Sequence, residues 1–272
     1  MTNKQALDWA KRLLEDKDIL TARLDALVLL EDNTNIDRAQ ILAEPEHELS
    51  PLALIDFKRQ VRQRSRYYPL AYVRGKSEFY GRNFIINRHV LEPRPESETM
   101  IEEVISIVKD DSENSILDIG TGSGALIISA KLELPKINAY ATDISKMCIS
   151  LAKKNAENLH APISFYIGDL IKPVPELTWT GQVLVMANLP YVPNNWRINP
   201  PAMREPKKAI FGGQDGLNVY KSFFSQLEEL KKKPSWVLTE AMPPQHDNLS
   251  LIAKHAGYKL IKTNDFIQVY KA

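Results

Sequence analysis

The chain has 272 residues, 44% of them hydrophobic, and carries 35 basic against 34 acidic side chains. That length supports one substantial core plus a small second domain, while a net charge of +1 gives no general field for a polyanion. The single cysteine, Cys148, excludes an internal disulfide and fits a reducing compartment. Met1–Trp9 lacks an apolar signal core and no run is long enough to span a bilayer, so a soluble cytoplasmic protein is expected. No His, Cys or carboxylate cluster has metal-ligand spacing, and no metal is expected.

Residues 1–75 read as a helical domain. Ala6, Leu7, Ala10, Leu13 and Leu14 form one apolar stripe, and Leu24, Leu27, Val28 and Leu30 form another. Ser50 followed by Pro51 supplies a capping hydroxyl and a residue suited to a first helical turn. The helix after it carries Lys58, Arg59, Arg62, Arg64 and Arg66, a run that reads as a solvated face or as a partner-binding one. A four-helix cap of this size is marginal alone. Residues 76–92 alternate as a hairpin with turn residues Gly81 and Asn83; they link the helical domain to a domain spanning 93–272. Pro93-Arg94-Pro95 then stiffens the chain ahead of a helix running through Val104 and Ile107.

From Ser115 the pattern changes. An apolar run ends in Asp118, glycines fall at Gly120, Gly122 and Gly124, and a helical pattern begins at Ala125: a strand, a tight turn stripped of side chains, and a helix. Such a turn lets a ligand approach the main chain and meet free N–H groups at the helix start. Gly120-Thr121-Gly122-Ser123-Gly124 satisfies the dinucleotide fingerprint. It equally satisfies Asp-x-Gly-x-Gly-x-Gly, the pattern of S-adenosylmethionine methyltransferases that it resembles, and a structural turn without ligand is the plain alternative. Asp143 ends the next strand, where an acid can accept from both ribose hydroxyls of either nucleotide. Further strands are expected near 163–168, 182–188 and 235–241, beside those near 115–120 and 137–143, with amphipathic helices between. A closing hairpin of 258–262 and 266–270 makes seven strands in a doubly wound, mostly parallel α/β sheet. Gly168-Asp169-Leu170 can set an acid and an apolar wall against an adenine. The stretch from Val192 to Asp215 is proline-rich and aperiodic, as functional lids and binding loops are.

The fourth of these strands, Val183–Ala187, runs into Asn188-Leu189-Pro190-Tyr191. Methylating an amide or exocyclic amino nitrogen is difficult because its lone pair is delocalised. A site can help by accepting the N–H hydrogens through the Asn188 side-chain oxygen and the backbone C=O of Leu189, aligning the nitrogen with the methyl donor. Pro190 holds the turn rigid and Tyr191 offers a flat face to a planar group. In isolation such a tetrapeptide is also an ordinary strand-end turn; its place after Asp118, Asp143 and Asp169 favours the chemistry.

With these segments in hand, the chain resembles the HemK/PrmC family of protein-(glutamine-N5) methyltransferases, which methylate the glutamine of the Gly-Gly-Gln motif in translation release factors. The resemblance also rests on Pro69–Gly75, Glu78–Gly81, Pro93-Arg94-Pro95-Glu96, Glu205-Pro206 and Phe211–Leu217. It implies S-adenosylmethionine as donor and S-adenosylhomocysteine as product. The donor would be bound by Gly120, Thr121, Gly122, Ser123, Gly124, Asp143, Leu170 and Asn188, with Asp169 beside them. It implies substrate glutamine held at Asn188–Tyr191, with Asn188, Pro190 and Tyr191 as catalytic residues, release factors as partners, and a monomer. The sequence departs at Leu189, where the family usually has proline, and at Met242, where it tends to have glycine. Asn-Leu-Pro-Tyr looks like the motif of ribosomal RNA adenine dimethyltransferases, so the competing readings are an adenine-N6 methyltransferase on RNA or DNA and a non-catalytic S-adenosylmethionine-binding partner of release factors. Balanced charge and the lack of a basic tail count against a nucleic-acid substrate.

Overall fold

The structure, a computed structural model, describes residues 1–108, 114–175 and 179–272. Two compact units emerge: Met1–Lys76 with Asn199–Arg204, and Ser77–Ile198 with Glu205–Ala272. Among the described residues no helix is long and apolar enough to cross a membrane.

The first unit holds five helices where the sequence suggests four: α1 (Asn3–Glu15), α2 (Ala22–Thr34), α3 (Arg38–Ala43), α4 (Pro51–Arg64) and α5 (Leu70–Arg74). Thr2 and Gln5 close a reciprocal capping box on α1, and Ser50 Oγ accepts from Ala53 N at the start of α4, with Pro51 in its first turn. Ala6, Ala10 and Leu14 of α1 meet Ala26, Leu29 and Leu30 of α2 and Phe57 and Val61 of α4 in one apolar core. Of the stripe expected on α2, Val28 and Leu30 are buried and Leu27 packs against the core, but Leu24 is 52% exposed, whereas Asp25 is buried. The cause is an ion pair, Arg64 Nε to Asp25 Oδ2 at 2.7 Å, which turns that face of α2 inward. The basic run is therefore not one face. Arg64 points into the unit, Lys58 and Arg62 lie 5.9 and 6.0 Å from the centre of the Trp9 ring, and Arg59 pairs with Asp56.

In the second unit β1 (Lys76–Phe79) and β2 (Arg82–Ile85) form the expected hairpin. Its turn is Tyr80-Gly81, both with positive φ (49° and 68°), a geometry that matches strand twist; Asn83 lies within β2 instead of in the turn. After α6 (Glu98–Ile107) comes the main sheet of β3 (Ser115–Ile119), β4 (Asn138–Asp143), β5 (Ser164–Ile167), β6 (Val183–Ala187), β7 (Trp236–Glu240), β8 (Lys259–Asn264) and β9 (Ile267–Lys271). Its order is β5-β4-β3-β6-β7-β9-β8, with only β9 antiparallel to its neighbours. Every residue of β3 and β6 is buried, which is why both read as unbroken apolar runs. The connecting helices are α7 (Ala125–Glu133), α8 (Lys146–Asn158), α9 (Lys207–Ile210), α10 (Asn218–Glu228) and α11 (His246–His255).

Candidate active site

β3 lies between β4 and β6, and Ile119 is in register with both Thr142 and Ala187. The chain leaves these strands toward opposite sides of the order, so their C-terminal ends open a crevice at the switch point, where such sheets bind ligands. The glycine turn, Asp143 and Asn188 all lie along that edge.

The turn is tied to β4. Gly120 N and Thr121 N both donate to Thr142 O at 2.9 Å, and Gly122 N donates to Asp143 Oδ2 at 3.0 Å. The other carboxylate oxygen of Asp143 accepts from Ser145 N at 2.8 Å; a carboxylate can accept about four hydrogen bonds, so capacity for ligand hydroxyls remains. At Gly122, φ is +55° and an added Cβ would meet nothing within 4 Å, leaving room over the main chain. Gly124 serves packing instead: a Cβ there would sit 2.9 Å from Ile128 Cδ1 and 3.2 Å from Ala152 Cβ, between α7 and α8.

Asp118 is 1% exposed. Its Oδ2 accepts from Thr121 Oγ1 at 2.6 Å, and its Oδ1 has no hydrogen-bond partner within 3.5 Å among the described residues. Burial pushes its carboxyl up to about 7 and raises that of Asp143 as well. Exposed apolar side chains stand around Asp143: Ile144 follows it, Met147 lies one helical turn on, and Ile167 is its register partner on β5. Leu170 is half-buried with φ at 51°, and the exposed Asp169 accepts from Gln226 Nε2 at 2.9 Å. Hydroxyl acceptors, apolar side chains and an orphan buried carboxylate oxygen suit a nucleoside that carries a cationic tail.

Across the crevice, Asn188 is half-buried and Leu189 is 3% exposed. The Leu189 side chain packs over the glycine turn, its Cδ2 lying 3.2 Å from where a Gly120 Cβ would stand. Asn188 Nδ2 donates to Ser97 Oγ at 2.9 Å, and Ser97 Oγ donates to Glu240 Oε2 at 2.5 Å. The Tyr191 hydroxyl donates to the other oxygen, Glu240 Oε1, at 3.1 Å. Burial raises the carboxyl of Glu240 and the phenols of Tyr191 and Tyr220 above their ordinary ranges.

Backbone around the tetrapeptide is held from two sides. The Tyr220 hydroxyl accepts from Leu189 N (3.3 Å) and Glu240 N (3.2 Å), and its proton serves Ala187 O (2.8 Å) or Glu240 O (2.6 Å). Gln245 Nε2 donates to Tyr191 O at 2.8 Å and to Asp215 O at 2.9 Å. The glycines of 212–216 are pressed against this backbone: an added Cβ would fall 2.3 Å from Pro190 O at Gly212 and 2.0 Å from Tyr191 O at Gly216. Arg94 Nη2 reaches Glu205 Oε1 at 2.6 Å, joining the proline-flanked arginine to a glutamate within the irregular stretch.

The structure thus gathers Gly120–Gly124, Asp143, Asn188 and Leu189 at one edge, and puts Asp169 and Leu170 just after the neighbouring β5. The sequence alone assigns no role to Ser97, Tyr220, Glu240 or Gln245. Glu240 alone carried a signal, an acid ending the apolar run Val237-Leu238-Thr239; Ser97 and Tyr220 gain meaning only through partners far along the chain.

A profile described as PrmC N-terminal domain matches residues 5–75, and one described as Methyltransferase small domain matches residues 99–191. The chain is 34% identical to a release factor glutamine methyltransferase of Bacillus anthracis over 262 residues, 93% of this chain and 90% of the relative. With the protein of the same name from Bacillus subtilis it shares 32% identity over 87% of this chain and 83% of the relative. Among solved structures, the catalytic domain of human Mettl16 in complex with an RNA hairpin shares the fold, with a TM-score of 0.53 at 18% identity over 80% of this chain and 81% of that one.

Proposed function

The chain belongs to the release factor glutamine methyltransferases, and on that premise we propose that it methylates the side-chain nitrogen N5 of the glutamine in the Gly-Gly-Gln motif of peptide chain release factors. Bound S-adenosylmethionine supplies an electrophilic sulfonium methyl and leaves as S-adenosylhomocysteine. Gly120, Thr121, Gly122, Ser123 and Gly124 would hold it, with Asp143 accepting its hydroxyls and Asp169, Leu170 and Ile144 bordering its base.

The observation that carries this reading is the state of Asn188. Its Nδ2 is engaged by Ser97, and its Oδ1 takes no protein donor among the described residues, so an acceptor stands at the crevice for a substrate N–H. With the main-chain oxygen of Leu189 it can accept both hydrogens of a carboxamide, turning the nitrogen toward the methyl. Pro190 keeps the two acceptors in fixed relation, and Tyr191, anchored through its hydroxyl, presents a ring face to the planar amide. Residues 1–75 dock the release factor away from the reacting glutamine; the match of 5–75 to a domain profile of this family supports that role, as do the exposed Arg62 and Arg66.

The test is incubation with labelled methyl donor and, separately, purified release factor, RNA and DNA. Label confined to the Gly-Gly-Gln glutamine is expected. Label in RNA or DNA with none in release factor would overturn the reading in favour of adenine-N6 methylation, and label in none would leave a binding protein.

A further inference from the structure

Asn188 must present oxygen and not nitrogen to a substrate N–H, yet an asparagine amide is nearly symmetric in shape and can sit either way round. What decides between the two is the polarity of its protein partner. Ser97 Oγ could serve Asn188 as donor or as acceptor, since a hydroxyl does both. Its proton, however, is directed at Glu240 Oε2 at 2.5 Å; both oxygens of this carboxylate face hydroxyl donors, and in its ionised form it only accepts. The serine is left with lone pairs toward Asn188, so the amide must turn its N–H2 to Ser97, at 2.9 Å, and its oxygen away. The same carboxylate takes the Tyr191 proton at 3.1 Å. Ser97 is 2% and Glu240 1% exposed, so water does not compete for these bonds.

We propose that Ser97 and Glu240 are positioning residues: the buried Glu240 carboxylate sets the hydrogen-bond direction through Ser97, and thereby fixes the Asn188 amide with its oxygen toward the substrate nitrogen. The proposal rests on the methyl-transfer reading for its kinetic consequence, though the orientation of the amide stands apart from any activity. Removing the serine oxygen takes away the 2.9 Å bond that orients the amide and leaves only its weaker direct interaction with the Glu240 carboxylate, so the amide can turn. The reversed orientation points N–H2 at N–H2 and is unreactive, so the loss falls on turnover more than on substrate binding.

Three measurements on the full chain test it. Ser97→Ala should lower single-turnover kcat on release factor about 10- to 100-fold, with KM changed less than threefold and S-adenosylhomocysteine affinity within twofold of the parent. Ser97→Thr, which keeps the hydroxyl, should recover most of that loss. In a double-mutant cycle, Ser97→Ala should cost nothing further in an Asn188→Ala background, because its effect passes through that side chain. Additive losses, or a fall confined to thermal stability, would overturn the proposal. Independently of any substrate, the Asn188 side-chain N–H2 of protein carrying 15N-labelled asparagine should exchange with solvent at least tenfold faster in Ser97→Ala; unchanged protection would overturn it too. If the parent methylates no release factor, the functional reading fails while this exchange measurement still decides the orientation.

Discussion

A carboxyl group taken out of water holds its proton more tightly, and burial pushes Asp118 up to about 7. Between pH 4 and 7 the folded protein then binds a proton that the unfolded chain has released. The sign follows: this group's contribution is fully present below about pH 4 and is lost as pH rises to about 7. Asp118→Asn keeps an acceptor for Thr121 and removes the titration. Relative to the parent, the variant should gain on the order of 2–4 kcal/mol between pH 4 and pH 7.5, read from urea unfolding of the cofactor-free protein; parallel pH profiles would refute this.

Asn188 and Leu189, adjacent in sequence, should respond in opposite ways. Asn188→Ala removes an oriented acceptor and should cost roughly 10²–10³ in single-turnover rate, with binding of S-adenosylhomocysteine surviving through the glycine turn and Asp143. Leu189→Pro keeps the main-chain oxygen. It gives up the 3.3 Å bond to Tyr220 and part of a buried side chain, so about 1–2 kcal/mol of stability should go while turnover stays within about tenfold. A collapse of turnover in Leu189→Pro would mean that the leucine side chain itself shapes the pocket.

At the scale of elements, the ends of β6 and β7 are clamped together by one phenol. Tyr220 on α10 meets the backbone of Ala187, Leu189 and Glu240 through a hydroxyl that is wholly buried. Tyr220→Phe strands these groups and should cost about 2–3 kcal/mol and lower turnover, measured by chemical denaturation and single-turnover rates; a stability within 0.5 kcal/mol of the parent's would show the clamp to be redundant. The neighbouring loop explains the glycines of the Phe211–Leu217 segment. The helix begins at Asn218 without a side-chain cap, and the glycines are there because Pro190 O and Tyr191 O leave no space for a Cβ. The strands themselves were legible, since a parallel strand buried on both faces must be apolar throughout. What escaped were features made by distant partners. The inward turn of Asp25 depends on Arg64, 39 residues on, and the Ser97–Glu240 bond spans 143 residues; no local period records either.

For the whole molecule, a net charge of +1 means that long-range attraction cannot hold a partner, and recognition must come from local surfaces. On the helical unit two arginines of the basic run, Arg62 and Arg66, are exposed, whereas Arg64 is committed to Asp25. Reversing Arg64 would leave an uncompensated buried charge, at a cost of about 3–5 kcal/mol, and would report only unfolding. Arg62→Glu combined with Arg66→Glu is the informative pair. At low salt it should lower kcat/KM on intact release factor about tenfold and leave kcat within twofold, since charges at the rim of an interface act mainly on association. Methylation of a short Gly-Gly-Gln peptide, which lacks the rest of the release factor, should be unchanged. Raising salt should shrink the difference between variant and parent as exposed charges are screened. If the double variant methylates intact release factor at the parental rate at low salt, the arginines are merely solvated and take no part in docking. If the peptide loses rate as much as the protein does, the substitutions have disturbed the catalytic unit.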